Sequence, residues 1–241
     1  MSEGREVHLV VATVEERRES CERLLVAVAA GTRAPDLAHL VLDGYAGRPA
    51  PVAPSALRVR EWRTERRLGP GGRWRVAREV PPGTVLVVVD DDVVAPPGLV
   101  AALAGAVGPW AAAGAQGVTW SGGRATSEAA AGEDLACAGA CGFAVFAGDL
   151  DGLDELAAVV RAAGGFDPLG DLGDDEALVC AHLWRRGIRI AHVPVPGLRT
   201  ASGTQEQSQT CRRLRRGESL DEQRRVVRAA TGWPWVDARG R

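Results

Sequence analysis

The stretch TVLVVVDDD, Thr84 to Asp92, decides how this chain reads. A short, continuous apolar run of valines and a leucine is the signature of a strand covered on both faces, as in a parallel sheet. Three consecutive aspartates then close it. Crowded carboxylates repel, and each raises the pKa of its neighbour. The arrangement becomes favourable when a divalent cation joins them, because Mg2+ or Mn2+ takes oxygen ligands and bridges carboxylates to substrate phosphates. A capping role at a strand–helix turn accounts for one aspartate and leaves the other two unexplained.

Working outward, apolar runs and helical patterns alternate. Val7 to Thr13 (VHLVVAT) and Leu37 to Leu42 (LAHLVL) predict buried strands, the second ending at Asp43-Gly44. Between them Leu24, Leu25 and Val28 fall at helical spacing, and Gly31 stops the helix. Leu57 to Trp62 predicts a third strand. A Gly-Pro-Gly-Gly loop, Gly69 to Gly72, opens a short helix from Arg73 to Glu79, which Pro81-Pro82-Gly83 breaks. After the aspartates the expectation is a helix from Pro97 through Val107, one strand from Ala113 to Trp120, a polar loop, and a buried strand over 139–147. Helices over 153–163 and 176–186 and a last strand over 188–193 follow. Strands alternating with helices imply an α/β doubly wound sheet, whose ligands sit beyond the carboxyl ends of the strands. Asp43 and Asp90 to Asp92 fall at such ends.

The chain has 241 residues, 46% hydrophobic and 25% charged, with a formal net charge of −2. That composition is globular, and it gives no global pull toward nucleic acid or anionic lipid. No apolar run reaches the roughly 18 residues of a membrane span, and the charged start, Met1 to Val7, does not read as a secretory signal. All 29 basic residues are arginine. Without lysine there is no Schiff-base chemistry on a side-chain amine and no Walker A loop. The five cysteines, Cys21, Cys137, Cys141, Cys180 and Cys211, include no CxxC pair, so reduced thiols in a cytoplasmic protein are expected. From Arg199 to Arg241 the balance changes to ten arginines against five acids. This segment, 199–241, is expected to form a basic helical tail or flap beside a domain spanning 1–198.

A second acidic run, Asp174-Asp175-Glu176, opens an amphipathic helix, where the helix dipole favours acids. It follows Gly164-Gly165-Phe166-Asp167, which marks a tight approach of loop to site. The order is a strand, Asp43, a Gly-rich segment with Arg73, VVVDDDV, GGFD, and DDE leading into a helix that ends RRG. Over roughly residues 6 to 198 this order resembles the inverting, family 2 type of nucleotide-sugar glycosyltransferase, a hexosyltransferase type with a GT-A fold. The resemblance implies a mostly parallel, mixed central sheet flanked by helices, with a Rossmann-like nucleotide-binding half. It implies a nucleoside diphosphate-sugar donor and a divalent cation, Mn2+ or Mg2+. Asp43 would reach the nucleotide base, and Arg73 would lie near the nucleotide. Asp90, with Asp91 beside it, would contact the ribose side of the donor. Asp92, with Asp90, would hold the metal.

The acidic run before the helix would supply the catalytic base. Counting back from Gly187 favours Glu176, and counting forward to Leu178 favours Asp175. Asp175 is preferred, with Asp174 the third member of the group. The family often places a histidine after the last strand as a metal ligand. Here that stretch reads PGLRTASG, so either Arg199 would substitute as a direct phosphate contact or Asp92 and the diphosphate alone would hold the metal. Trp120 and Asp167 are the candidates for the acceptor side. In the implied reaction a cation and arginines meet the charge of the departing diphosphate. A carboxylate opposite takes the acceptor's proton, and one in-line attack inverts the anomeric centre.

Three other readings share some of these residues. A haloacid-dehalogenase-type phosphatase matches the letters Asp90 to Val94, but that motif belongs on a first strand and needs a downstream lysine. A nucleotidyltransferase calls for a Gly-rich basic loop after the first strand, where this chain reads TVEERRES. A catalytically silent nucleotide-sugar-binding module would bind donor without turnover.

Overall fold

Val7–Thr13 (β1) is buried along nearly its whole length, because its alternate residues feed two different cores. Leu9 and Val11 join one apolar cluster and Val10 the other. The computed structural model of the chain describes residues 4–121, 124–126, 130–139, 141–170, 174–200 and 220–234. After β1 come Arg18–Ala29 (α1), Leu37–Leu42 (β2), Val59–Arg63 (β3), Val85–Val88 (β4), Val93–Val94 (β5) and Leu99–Ala106 (α2). Ala111–Gly114 (β6), Gly117–Ser121 (β7), Arg124–Thr126 (β8), Cys137–Ala138 (β9) and Phe143–Phe146 (β10) follow. The chain continues through Leu153–Gly164 (α3), Asp175–Arg185 (α4), Arg189–His192 (β11), Arg199–Thr200 (β12) and Leu220–Thr231 (α5).

Seven strands form one sheet in the order β11-β6-β10-β4-β1-β2-β3. β10 runs antiparallel to both its neighbours, and the other pairings are parallel. Residues of α1 and α2 cover one face, and residues of α3 and α4 cover the other. From β1 the chain steps outward to β2 and β3, then returns to β4 on the far side of β1. That reversal opens a crevice at the carboxyl ends of β1 and β4, the usual place for a ligand in such a sheet. The expected α/β architecture is therefore the one observed.

Two expectations change in detail. The single strand expected over 113–120 is two, β6 and β7. Gly114 and Gly117 allow the break: a Cβ on Gly117 would lie 2.3 Å from the Cys137 carbonyl oxygen, and one on Gly114 would lie 2.7 Å from the Ala138 Cβ. The chain thus leaves the main sheet and pairs with β9 instead. The helix expected from Arg73 is a 3-10 helix that begins earlier, Pro70–Glu79. Three residues per turn place Arg75 and Arg78 on one exposed edge, while Arg73, Trp74, Val76 and Ala77 are buried. Gly71 presses on the loop after α3, where a Cβ would meet the Leu169 carbonyl oxygen at 2.4 Å.

A polar seam crosses β1, β2 and β3 on the face that this 3-10 helix covers. Trp62 Nε1 donates to His39 Nδ1 (3.0 Å), His39 Nε2 meets His8 Nδ1 (2.9 Å), and His8 Nε2 meets a Glu6 carboxylate oxygen (2.8 Å). Indole is a donor only, so His39 accepts at Nδ1 and carries its proton on Nε2, toward His8. α5, the described part of the basic segment, packs against α3 and α4 and adds Val227 and Trp233 to their core. No described helix is long and apolar enough to cross a membrane.

Candidate functional site

Three strand ends supply one side of the site. Asp43, directly after β2, is buried, and its carboxylate accepts from the Leu68 amide (2.6 Å), the Gly69 amide (3.0 Å) and the Thr64 hydroxyl (3.2 Å). It thereby fixes the loop that leads into the Arg73 helix. The aspartates after β4 meet two guanidiniums. Arg17, in the turn after β1, lies 2.8 Å from Asp91 Oδ1 and 3.3 Å from Asp92 Oδ2. Arg73 Nη1 donates to Asp90 Oδ1 at 2.7 Å. Burial pushes the Asp91 carboxyl up to about 6, against the pull of Arg17. Asp90 is the most open of the three, with its side chain 35% exposed.

Arg73 also carries the link to the second acidic run. Its side chain is 3% exposed, and its Nε and Nη2 reach Asp175 Oδ2 at 2.9 and 2.8 Å. Trp74 Nε1 donates to the same oxygen at 2.6 Å. Burial works against the Arg73 charge, but Asp175, Asp90 and Glu176 outweigh it and hold the guanidinium protonated. One buried cation therefore spans both acidic runs.

The two candidates for the base part company here. Asp175 is 3% exposed, and its Oδ2 is bound by Arg73 and Trp74. Glu176 has a side chain 29% exposed and meets Arg73 only at 3.9 Å. It lines a recess with Trp74, Ala138, Phe143, Val179 and Cys180. Burial, then the charges of Asp175 and Asp90, pushes its carboxyl up to about 8, although Arg73 opposes the shift. Asp174 takes neither place. It caps α4, its Oδ1 accepting from the Ala177 amide at 3.1 Å, and its Oδ2 accepts from Arg224 Nε of α5 at 2.7 Å.

The remaining expected residues scatter. Arg199, in β12, pairs through its backbone with Val94 of β5, two residues past Asp92. Asp167 is exposed, 2.8 Å from Arg161, and its other oxygen accepts from the Leu169 amide, so it shapes its own turn. The backbone of Trp120 lies in β7, away from the main sheet, and its side chain is outside the described residues. A cavity of about 520 Å3 also touches Trp74, with Arg75, Arg78, Asp151, Asp154 and Glu155 in its wall. Sequence reasoning missed Arg17, Trp74 as a donor to Asp175, and Arg224. Only position could have flagged Arg17, the basic residue nearest the end of β1.

As metal donors, Asp90 and Asp92 offer hard carboxylate oxygens at a strand end. Among the described residues no three ligating side chains gather. Two carboxylates would fit a cation completed by substrate phosphates.

No protein-family model matches the sequence, and no curated protein matches it. Solved structures do match the fold. The mannosyltransferase PcManGT from Pyrobaculum calidifontis, solved with GDP-Man and Mn2+, superposes with a TM-score of 0.52 at 16% identity, over 95% of this chain and 70% of that one. GalNAc-T7, solved with UDP, GalNAc and Mn2+, gives a TM-score of 0.50 at 14% identity, over 78% of this chain and 41% of that one. The fold is GT-A. Within the GT-A frame, the crevice at β1 and β4 is where the two acidic runs face each other through Arg73.

Proposed function

We propose that this chain is an inverting glycosyltransferase that moves a sugar from a nucleoside diphosphate-sugar to an acceptor hydroxyl. The observation that carries the reading is the Arg73 bridge, which sets Asp90 on one side of the crevice and Asp175 and Glu176 on the other. A displacement needs charge control at the leaving group and a base at the attacking group, and two acidic runs joined by one cation support assigning them those roles. Two of the similar solved structures hold UDP or GDP-Man together with Mn2+, which supports the reading.

The donor diphosphate is read into the strand-end side. Arg17 and Arg199 supply positive charge there, and Asp43 holds the loop that carries Arg73. Asp90 and Asp92 would hold Mg2+ or Mn2+, which when bound supplies Lewis-acid stabilisation of the leaving diphosphate. Glu176 is the base. A carboxyl pushed up to about 8 is matched to taking a proton near neutral pH. Asp175 is read as a positioning residue, because Arg73 and Trp74 already take its Oδ2. This reading moves the base by one residue from the one preferred on sequence. Buried, free Cys21, Cys137 and Cys180 suit a reducing compartment such as the cytoplasm.

The test is a panel of nucleotide sugars with the purified chain and Mn2+. Release of nucleoside diphosphate is expected from at least one donor, with Glu176→Gln losing the release and keeping nucleotide binding. No turnover and no donor hydrolysis, with nucleotide binding unchanged in Asp92→Ala, would remove the reading.

A further inference from the structure

The described part of the basic segment is tied to one point of the site. Asp174 is 5% exposed, yet each of its polar groups is engaged. Its Oδ1 accepts from the Ala177 amide at 3.1 Å, and its carbonyl accepts from the Leu178 amide at 3.2 Å. The other two partners come from α5, about one-fifth of the chain away in sequence. Arg224 Nε donates to Asp174 Oδ2 at 2.7 Å, and the Asp174 amide donates to Gln223 Oε1 at 2.9 Å. The amide of a helix cap is one of the groups a helix cannot satisfy by itself. Here a side chain from another helix satisfies it.

The placement has consequences one and two residues on. Asp175 is bound by Arg73, and Glu176 faces the recess. The first turn of a helix is the part most prone to fraying. Three acids in sequence there also repel one another. Arg224, with its side chain 20% exposed, places a cation against the first of them. α5 is itself anchored, since Val227 and Trp233 are buried in the core shared with α3 and α4. Arg224 and Gln223 are therefore held in register and do not sample a surface.

We propose that α5 is a clamp on the catalytic helix, in which Arg224 and Gln223 act through Asp174 as positioning residues for the acidic first turn of α4. Its catalytic consequence rests on reading Glu176 as the base. Both residues act at Asp174, two residues before Glu176, so the clamp governs the rate of the chemical step and not the capture of nucleotide. A misplacement of about 1 Å at a reacting group costs up to about 100-fold in rate.

The experiment uses the full chain as wild type, Arg224→Ala, Arg224→Lys and Gln223→Ala. Amide hydrogen exchange is followed over residues 174–180 and over β4. Binding is measured with whichever of UDP, GDP, dTDP and CDP stabilises the wild type, and kcat and KM with its sugar donor. In Arg224→Ala, exchange should rise in the first turn of α4 and stay level in β4. Nucleotide affinity and donor KM should hold while kcat falls about 10- to 100-fold. Gln223→Ala should do the same more weakly, and Arg224→Lys should restore most of the rate by keeping the charge. Unchanged exchange in Arg224→Ala overturns the clamp. So does loss of protection throughout β4 together with loss of nucleotide binding, which would make α5 a support of the whole fold. If the first turn loosens as expected but the wild type transfers from no donor, the clamp stands and the transferase reading falls.

Discussion

The chain carries two runs of three acids, and it holds them differently. Asp90-Asp91-Asp92 lies between β4 and β5, in a turn that carries neighbouring side chains to the same side. Asp90 goes to Arg73, and Asp91 and Asp92 go to Arg17. Asp174-Asp175-Glu176 begins a helix, where successive residues turn by about 100°. Asp174 goes to its own helix and to α5, Asp175 to Arg73 and Trp74, and Glu176 toward an apolar recess. Each acid of the strand-end run sits within 3.3 Å of a guanidinium. In the helix-start run the last acid is 3.9 Å from its cation, and burial prevails. The first arrangement suits holding charge in place, and the second suits moving a proton.

The sharpest way to break this contrast is Glu176→Gln. Removing a general base lowers kcat by about 100- to 10,000-fold, and nucleotide affinity at the strand-end run should not change. In the wild type the active form is the carboxylate, so kcat/KM should rise with pH through about 8, the value to which burial pushes Glu176. A rate profile from pH 5.5 to 9.5 checks this, and a limb near 4.5 would return the role to an unperturbed acid.

Arg73→Met should have the next largest effect, on stability. It leaves Asp175 buried beside the indole without its cation, which costs about 3–5 kcal/mol when one partner of a buried pair is removed. Urea unfolding measures it. Arg17→Met should cost less, about 1–3 kcal/mol, because Arg17 is more open to water than Arg73, with side-chain exposures of 13% and 3%. An equal loss in the two variants would mean that the runs are not held differently after all. The smallest effect is expected for Asp167→Ala. Its ion pair with Arg161 is exposed, and such pairs contribute under about 1 kcal/mol. Turnover should stay at the wild-type level, and a selective rise in acceptor KM would instead place Asp167 on the acceptor side.

Much of this was legible in the residues. VHLVVAT, LAHLVL and TVLVVV read as buried strands because both faces of the sheet are covered, and continuous apolar runs have no other economical home. Both acidic runs were visible as runs. Their partners were not. Arg17 is one of two adjacent arginines between glutamates, and nothing local says which of them turns back to β4. The choice between Asp175 and Glu176 was also closed to sequence, since one step along a helix rotates the side chain to new neighbours. Arg73 and Trp74, about one hundred residues earlier, bind Asp175 and so set the two side chains apart. The division of 113–120 into two strands depends on β9 crossing at Gly117, a contact that no local pattern announces.

The imidazole seam under the Arg73 helix sets a separate timetable for acid. Burial, then competition with His8 for a proton and the charge of Arg60, lowers the His39 pKa from 6.5 to about 4. An unfolded chain would protonate that ring below 6.5 and the native one would not, so acid below 6.5 draws on the fold's resistance. Glu176 runs the opposite way. Its native carboxyl holds a proton up to about 8 and its unfolded one only up to 4.5, so resistance to unfolding drains as pH climbs toward 8. On these two groups the chain is sturdier at 6.5 than at 8, while its base is armed only at the upper end. Durability on the shelf and speed at work are thus assigned to different buffers, and Glu176→Gln should melt above the wild type at pH 8.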